Sequence, residues 1–290
     1  MYRSACAPTK NHAVVSEVSA MKVGFIGAGR MGWPMVRRLR AGGHEVILST
    51  RRPEVRAAAE EVGVTVTDSV RDIGDEVALI ITCFFSVDQL HDVVHRQGLL
   101  EALGPASTLV SHATGAVDAL QDISTDLRAA GHRLVDAPVS GTADDIDQGA
   151  LTVLIAGDPV AVDGVDPVLR SYARAIVACG NAVGDAQKVK LVNNLLFAAS
   201  SQIAVQAAHF AASLGVDPAL MLRAVGESSG NSYALEQLRR FGDTDSFVTG
   251  VGPFLRKDVG ACLALADELD VDPGCLSQLV ESGPIGDLTG

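Results

Sequence analysis

Val23-Gly-Phe-Ile-Gly-Ala-Gly-Arg-Met-Gly32 is the stretch on which the fold turns. A short apolar strand runs straight into Gly27-x-Gly29-x-x-Gly32, and Met31–Ala41 beyond it has a helical pattern that stops at Gly42-Gly43. Each glycine has a mechanical reason. Gly27 permits the tight turn, Gly29 lets backbone amides approach a pyrophosphate, and Gly32 lets the helix pack closely on the strand. The phosphates are expected at the helix start, beside Arg30 and Met31, where unpaired N–H groups and the helix dipole favour anions. With 29 glycines in the chain a lone match would be weak. Here strand, loop, helix and a second strand, Glu45–Ser49, follow in order within about 30 residues, as a dinucleotide-binding unit requires.

Outward from this unit the same texture continues. Short β-branched runs at Val64–Val66, Val77–Thr82, Thr108–Ser111 and Arg133–Asp136 alternate with helical stretches at Pro53–Val62, Val87–Arg96 and Val117–Ala130. Leu151–Ala156 and Ala175–Val177 flank a further helix opening near Pro159. That alternation is the pattern of a parallel sheet covered on both faces. After Gly184 the texture changes: Gln187–Leu214 has no Gly or Pro and is rich in Ala and Leu. These residues predict a helix of roughly 42 Å, and helical segments follow at Pro218–Val225, Ser232–Phe241, Pro253–Leu269 and Pro273–Val280. The predicted fold class is α/β: a Rossmann-type, doubly wound, mostly parallel sheet over residues 21–184. A long interdomain helix then leads into an all-α domain over residues 185–290.

The chain has 290 residues, 48% hydrophobic and 20% charged, the composition of an ordered globular protein. Its formal charge is −12, which argues against nucleic acid or an anionic membrane as partner. The average hides a local excess, because residues 22–56 hold eight basic residues against Glu45 and Glu54. A small anionic cofactor suits that asymmetry. Five scattered cysteines, without a CxxC or a Cys/His cluster, suggest reduced thiols in the cytoplasm and no bound metal. No apolar run approaches the roughly 20 residues of a membrane span. Residues 1–20 lack a signal peptide's apolar core and are expected to be a loose extension.

The end of the second strand separates the two nicotinamide cofactors. An NAD site places an acid there for the ribose 2′-hydroxyl, whereas this chain has Ser49-Thr50-Arg51-Arg52. A guanidinium binds a 2′-phosphate that an acid would repel. NADP(H) is therefore favoured over NAD(H), with Arg51 as main contact and Thr50 and Arg52 assisting. Phe84, with Phe85, is expected to wall the cofactor cleft.

Three further stretches carry chemistry. Asp136-Ala-Pro-Val-Ser-Gly-Thr142 follows a strand at its carboxyl end, where Ser140 and the amides of Gly141 and Thr142 suit a carboxylate. Lys190 and Asn194 stand one turn apart on the long helix, among Val189, Leu191, Val192, Leu195, Leu196 and Phe197. An ammonium in so apolar a helix has its pKa lowered and is a competent proton donor to a carbonyl oxygen. His91 and His95 have a metal-like spacing, but with no third ligand a surface helix is expected. His112, at the end of a strand near the nicotinamide pocket, is either a substrate contact or a satisfied polar group.

In these motifs the chain resembles the β-hydroxyacid dehydrogenase family from Met21 onward. The resemblance rests on GFIGAGRMGWPM, on DAPVSG followed by Gly149, on G-x-A-Q-x-x-K-x-x-N-N and on Lys257-Asp258. It implies Lys190 as catalytic lysine and Asn194, Ser140 and Gly141 as substrate contacts. It also implies Thr114 and Lys257 beside the cofactor, a helical domain like that of 6-phosphogluconate dehydrogenase, and a homodimer or homotetramer built through it. The chain departs from the family pattern at Thr142 (usually Gly), in Ala113–Val117 (no proline), at Ala186 and Ile146, and in the acidic run Asp144, Asp145 and Asp147.

The expected activity is NADP(H)-dependent interconversion of a small, carboxylate-bearing β-hydroxyacid and its semialdehyde or keto acid, with Lys190 as general acid and base. Two rivals share the scaffold. One is an imine reductase, a group that usually replaces the catalytic lysine. The other is a non-catalytic NADP(H)-binding reader protein.

Overall fold

The computed structural model describes residues 20–285. Apart from Ala20, the expected N-terminal extension lies outside the described residues. Among the described residues nine strands form one sheet: β1 (Lys22–Ile26), β2 (Glu45–Ser49), β3 (Thr65–Thr67), β4 (Leu79–Thr82), β5 (Thr108–Ser111), β6 (Arg133–Asp136), β7 (Val139–Ser140), β8 (Leu151–Ala156) and β9 (Ala173–Gly180). Their order is β3-β2-β1-β4-β5-β6-β8-β7, with β9 on β8. The first six strands pair in parallel; β8 runs antiparallel to β6 and β7 and parallel to β9. The strand order reverses between β1 and β4, so a crevice opens at their carboxyl ends.

Burial on both faces explains the continuous apolar strands. On one face Phe25, Leu48 and Ile81 pack against Met35, Val36 and Leu39 of the helix Gly32–Ala41. On the other, Ile26, Ile47, Ile80 and Leu109 meet Leu120, Ile123 and Leu127 of the helix Val117–Ala129. Ridges from two layers thus hold the crevice edges at fixed height.

The helical region is led by the helix Asp185–Ser213, 29 residues long. Its Leu191, Leu195, Ala198 and Val205 pack against Phe247, Val251, Leu255 and Val259 of the helix Thr244–Glu268. That partner helix departs from expectation by starting nine residues before Pro253 and running through it. Asp243 caps its start by accepting from the Ser246 amide at 2.8 Å. The four-residue spacing of the buried stripe, Phe247 to Val259, offsets the hydrogen bond that an internal proline removes. By length and composition the long helix could cross a membrane, with a mean hydropathy of 1.3 over its most apolar window. The run is not continuously apolar, because Gln202, Gln206 and His209 interrupt it. Half of that window is buried inside the protein. The helices Val70–Gly74, Leu99–Ala102 and Ala143–Asp147 were not foreseen, since four or five residues are too few to display a helical period.

Candidate active site

The glycine loop meets the sheet as its chemistry requires. A Cβ on Gly27, at φ +99°, would stand 2.4 Å from the Cys83 carbonyl oxygen, and one on Gly32 would stand 2.1 Å from that of Gly27. Either collision would push β1, β4 and the helix apart. Nothing lies within 4 Å of a Cβ at Gly29, which leaves the backbone open to a ligand. No side chain caps the helix start at Met31, and Arg30 is exposed beside it. A cavity of about 170 Å³ continues from this turn, lined by Gly27, Thr50, Arg51, Asp68, Phe84 and Gln97 among others. The open amides and the adjoining cavity fit a dinucleotide. Arg51 and Arg52 differ in availability. Arg52 Nε pairs with Glu54 Oε1 at 2.8 Å, whereas among the described residues no acid pairs with Arg51.

A buried hinge joins the sheet to the long helix. Asp136, at the end of β6, is fully buried. Its carboxylate accepts from the Gly184 and Gln187 amides at 3.0 Å and from Gln187 Nε2 at 2.8 Å. Gln187 Nε2 also donates to the Ala113 carbonyl, and its Oε1 accepts from the Gly115 amide at 3.3 Å. Burial pushes the Asp136 carboxyl up to about 6, against the pull of these donors. Neither residue was singled out from the sequence. The available signal was an acid closing a strand and a glutamine opening an otherwise apolar helix.

One turn further along, Lys190 and Asn194 are buried on the same face. Asn194 Nδ2 donates to Asp258 Oδ2 at 2.5 Å, and Asn194 Oδ1 accepts from Asn193 Nδ2 at 2.9 Å. Lys257 Nζ lies 2.7 Å from Asp258 Oδ1, donates to the Thr114 carbonyl at 2.5 Å and sits 4.8 Å above the Phe85 ring. Lys257 thereby ties the helical region to the loop after β5. Burial lowers Lys190 to about 8; Asp258 opposes that shift and Lys257 adds to it. Among the described residues none accepts a hydrogen bond from the Lys190 ammonium.

The carboxylate turn needs a correction. Ser140 is half-buried and Gly141 exposed, but Thr142 is not a free donor. Its amide and hydroxyl both donate to Asp145 Oδ2, at 2.7 and 2.8 Å, and its hydroxyl accepts from the Asp145 amide at 3.3 Å. Thr142 therefore caps the helix Ala143–Asp147, because a threonine three residues before an acid satisfies both backbone donors reciprocally. Replacing Thr142 with alanine is expected to lower unfolding free energy by about 1 kcal/mol, measured by urea denaturation.

His112 resolves to a satisfied group. Its Nδ1 faces the Ala137 carbonyl at 2.5 Å and its Nε2 the Tyr172 hydroxyl at 2.8 Å. A carbonyl only accepts, so Nδ1 carries the proton and Tyr172 donates to Nε2. Burial lowers this imidazole to about 4. The His91 and His95 rings lie 4.4 Å apart, with Asp126 Oδ2 3.5 Å from His95 Nε2. Among the described residues no three metal-ligating side chains cluster. Burial pushes the Cys83 thiol up to about 12, which disfavours the thiolate that a nucleophilic role requires.

Residues 22–180 match the family described as the NAD binding domain of 6-phosphogluconate dehydrogenase. Residues 184–282 match the one described as NAD-binding of NADP-dependent 3-hydroxyisobutyrate dehydrogenase. An uncharacterized oxidoreductase of Shewanella frigidimarina is 30% identical over 245 residues, covering 83% of this chain and 84% of the relative. The human mitochondrial 3-hydroxyisobutyrate dehydrogenase is 29% identical over 220 residues, 76% of this chain and 65% of the relative. A solved 3-hydroxyisobutyrate dehydrogenase from Salmonella typhimurium has the same fold, with TM-score 0.81 at 24% identity over 90% of this chain and 92% of that one.

Proposed function

Because the chain belongs to the β-hydroxyacid dehydrogenase family, we propose that it interconverts a small β-hydroxyacid and its semialdehyde or keto acid with NADP(H). It is a nicotinamide-dependent oxidoreductase acting on a CH–OH group. The observation that carries the finer reading is Lys190: a buried ammonium lowered to about 8, on the helix anchored by Asp136 to the sheet's carboxyl edge.

The glycine loop and helix start would hold the pyrophosphate, Arg51 and Thr50 the 2′-phosphate in the cavity that Phe84 walls, and Thr114 and Lys257 the nicotinamide half. When bound, the cofactor supplies or accepts the hydride at the substrate carbon. Lys190 Nζ gives a proton to the carbonyl oxygen during reduction and takes it back during oxidation. Asn194 keeps one amide N–H for a substrate oxygen, since a side-chain amide has two and Asp258 uses one. Ser140 and the Gly141 amide would receive the carboxylate, so that the carbonyl is held within reach of Lys190.

The sign of the pH dependence follows. Reduction requires the ammonium, so kcat/KM for reduction falls as pH rises through about 8. Oxidation requires the free amine and falls as pH drops through the same value. Initial rates with NADPH and a panel of C3–C5 semialdehydes, run from pH 6 to 10, test both the substrate class and the lysine. Activity on cyclic imines with none on semialdehydes would instead favour imine reduction.

A homo-oligomer built through the helical region is part of the proposal. Its support is an exposed stripe along the long helix: Val192, Leu196, Ile203, Phe210 and Leu214. Cys83, Cys179, Cys262 and Cys275 are free thiols, in keeping with a cytoplasmic location.

A further inference from the structure

The loop between β5 and the helix Val117–Ala129 is gripped on three consecutive residues by side chains from the helical region. Gln187 Nε2 donates to the Ala113 carbonyl at 2.8 Å, and Gln187 Oε1 accepts from the Gly115 amide at 3.3 Å. Between them, the Thr114 carbonyl accepts from Lys257 Nζ. A Cβ on Gly115 would stand 3.0 Å from Val87 Cγ2, so the loop also packs closely on the sheet domain.

Gln187 is itself fixed in orientation. Its two amide hydrogens go to the Ala113 carbonyl and to Asp136 Oδ1, both at 2.8 Å, and a carbonyl and a carboxylate only accept. With both N–H groups used, Gln187 has none left for a substrate. Asp136 Oδ2 takes the Gly184 and Gln187 backbone amides. No side chain of the long helix's own first turn caps it, and Gly184 precedes it at φ +101°. The strand-end carboxylate therefore satisfies that helix start from across the hinge. Gln187 stands one turn before Lys190, about 4.5 Å along the same axis. One turn beyond Lys190, Asn194 donates to Asp258, the neighbour of Lys257. The contacts close a ring: loop 113–115, Gln187, the long helix, Asp258 and Lys257, and the loop again.

We propose that Gln187, oriented by Asp136, is a positioning residue that registers Lys190 against the Thr114 loop, so that the proton donor stands at a fixed separation from the nicotinamide end of the cofactor. The inference rests on the reading of Lys190 as proton donor and Thr114 as cofactor neighbour, and deepens it. Hydride and proton must arrive at adjacent atoms of one carbonyl, so a slip of about 1 Å between helix and loop takes one of them out of reach. Apolar packing alone lets a helix slide on a sheet. An amide that donates to one loop residue and accepts from another fits in one place only. Flipped, its Nε2 would face the Gly115 N–H and its Oε1 the oxygens of Ala113 and Asp136, so no second arrangement competes.

Gln187→Met keeps side-chain length and helix propensity while removing both halves of the amide. Asp136→Asn leaves Gln187 in place but can turn a donor toward its Nε2. Gln121 supplies the comparison, because its Nε2 donates to the Val183 carbonyl at 3.1 Å and ties the same hinge without touching the loop. Full-length proteins carrying lysine labelled at the ε-carbon are titrated by NMR without cofactor, the Lys190 resonance being the one lost in Lys190→Met. Gln187→Met and Asp136→Asn are each expected to move the Lys190 midpoint up by about one pH unit, because water reaches an ammonium whose helix start is released. Asp258 and Lys257, the charges that face Lys190, are unaltered in both. Reduction of the C3–C5 semialdehydes is expected to lose about 10–100-fold in kcat, with KM nearly unchanged. Gln121→Leu is expected to change neither quantity. An unmoved midpoint in Gln187→Met, or in Asp136→Asn where that variant alone folds, overturns the assignment, as does an equal shift in Gln121→Leu. If the midpoint moves but the natural protein reduces no semialdehyde, the β-hydroxyacid reading fails and the registration of Lys190 stands. If the natural protein reduces them and Gln187→Met keeps its kcat, the registration alone fails.

Discussion

Lys190→Met is expected to lower kcat for carbonyl reduction by about 10²–10⁴-fold, the usual contribution of a positioned general acid, with NADPH affinity unchanged. Methionine has similar length and suits the apolar neighbours of the long helix, so the substitution removes the ammonium with little change in shape. Asp258 is not orphaned by it, because Asn194 and Lys257 remain its partners. Burial disfavours the charged form of Lys190, as its lowered pKa of about 8 records. Removing that buried charge should therefore leave the thermal midpoint unchanged or raised. A loss of turnover with intact Tm and intact NADPH fluorescence titration isolates the proton transfer. Unchanged kcat on the true substrate would remove Lys190 from the mechanism.

Arg51→Glu is expected to weaken NADPH binding by about 10–150-fold, the equivalent of one or two charge-assisted hydrogen bonds, and to shift preference toward NADH. The argument turns on which of two adjacent guanidiniums is available. Arg52 is committed to Glu54, while Arg51 lines the cavity beside Thr50 without an acidic partner among the described residues. Asp68 lines the same cavity but pairs with Arg56, so its charge is offset there. A glutamate at position 51 would repel the 2′-phosphate and offer an acceptor to a 2′-hydroxyl. Kd values for both cofactors, measured on the natural protein and the variant, decide the matter. A natural protein that already prefers NADH would refute the role given to Arg51.

The fold was readable because its signals are local. Gly27-x-Gly29-x-x-Gly32 sits where a strand becomes a helix, and the alternation that follows repeats the same two periodicities. The boundaries that slipped did so for physical reasons. Pro253 reads as a helix start to any local rule, yet the stripe from Phe247 to Val259 needs a continuous helix to cover Leu191 and Leu195. The candidate site was readable in part. Lys190 stood out as a charge in an apolar helix, and Ser140–Gly141 as a turn at a strand's carboxyl end. Asp136 and Gln187 did not stand out, because an acid or an amide acquires meaning only from what it faces.

By itself, then, the sequence determined the order of elements, the dinucleotide loop and the choice of Lys190 as candidate proton donor, since each depends on spacing within a few turns of chain. Only the tertiary structure decided how these residues are partnered. Gln187 meets Asp136 across 51 residues, Asn194 meets Asp258 across 64 and Lys257 meets Thr114 across 143. The same folding satisfied both nitrogens of His112 and committed Thr142 to Asp145. Desolvation and hydrogen bonding sum over neighbours in space, so the lowered pKa of Lys190 and the raised one of Asp136 exist only once distant segments have packed together.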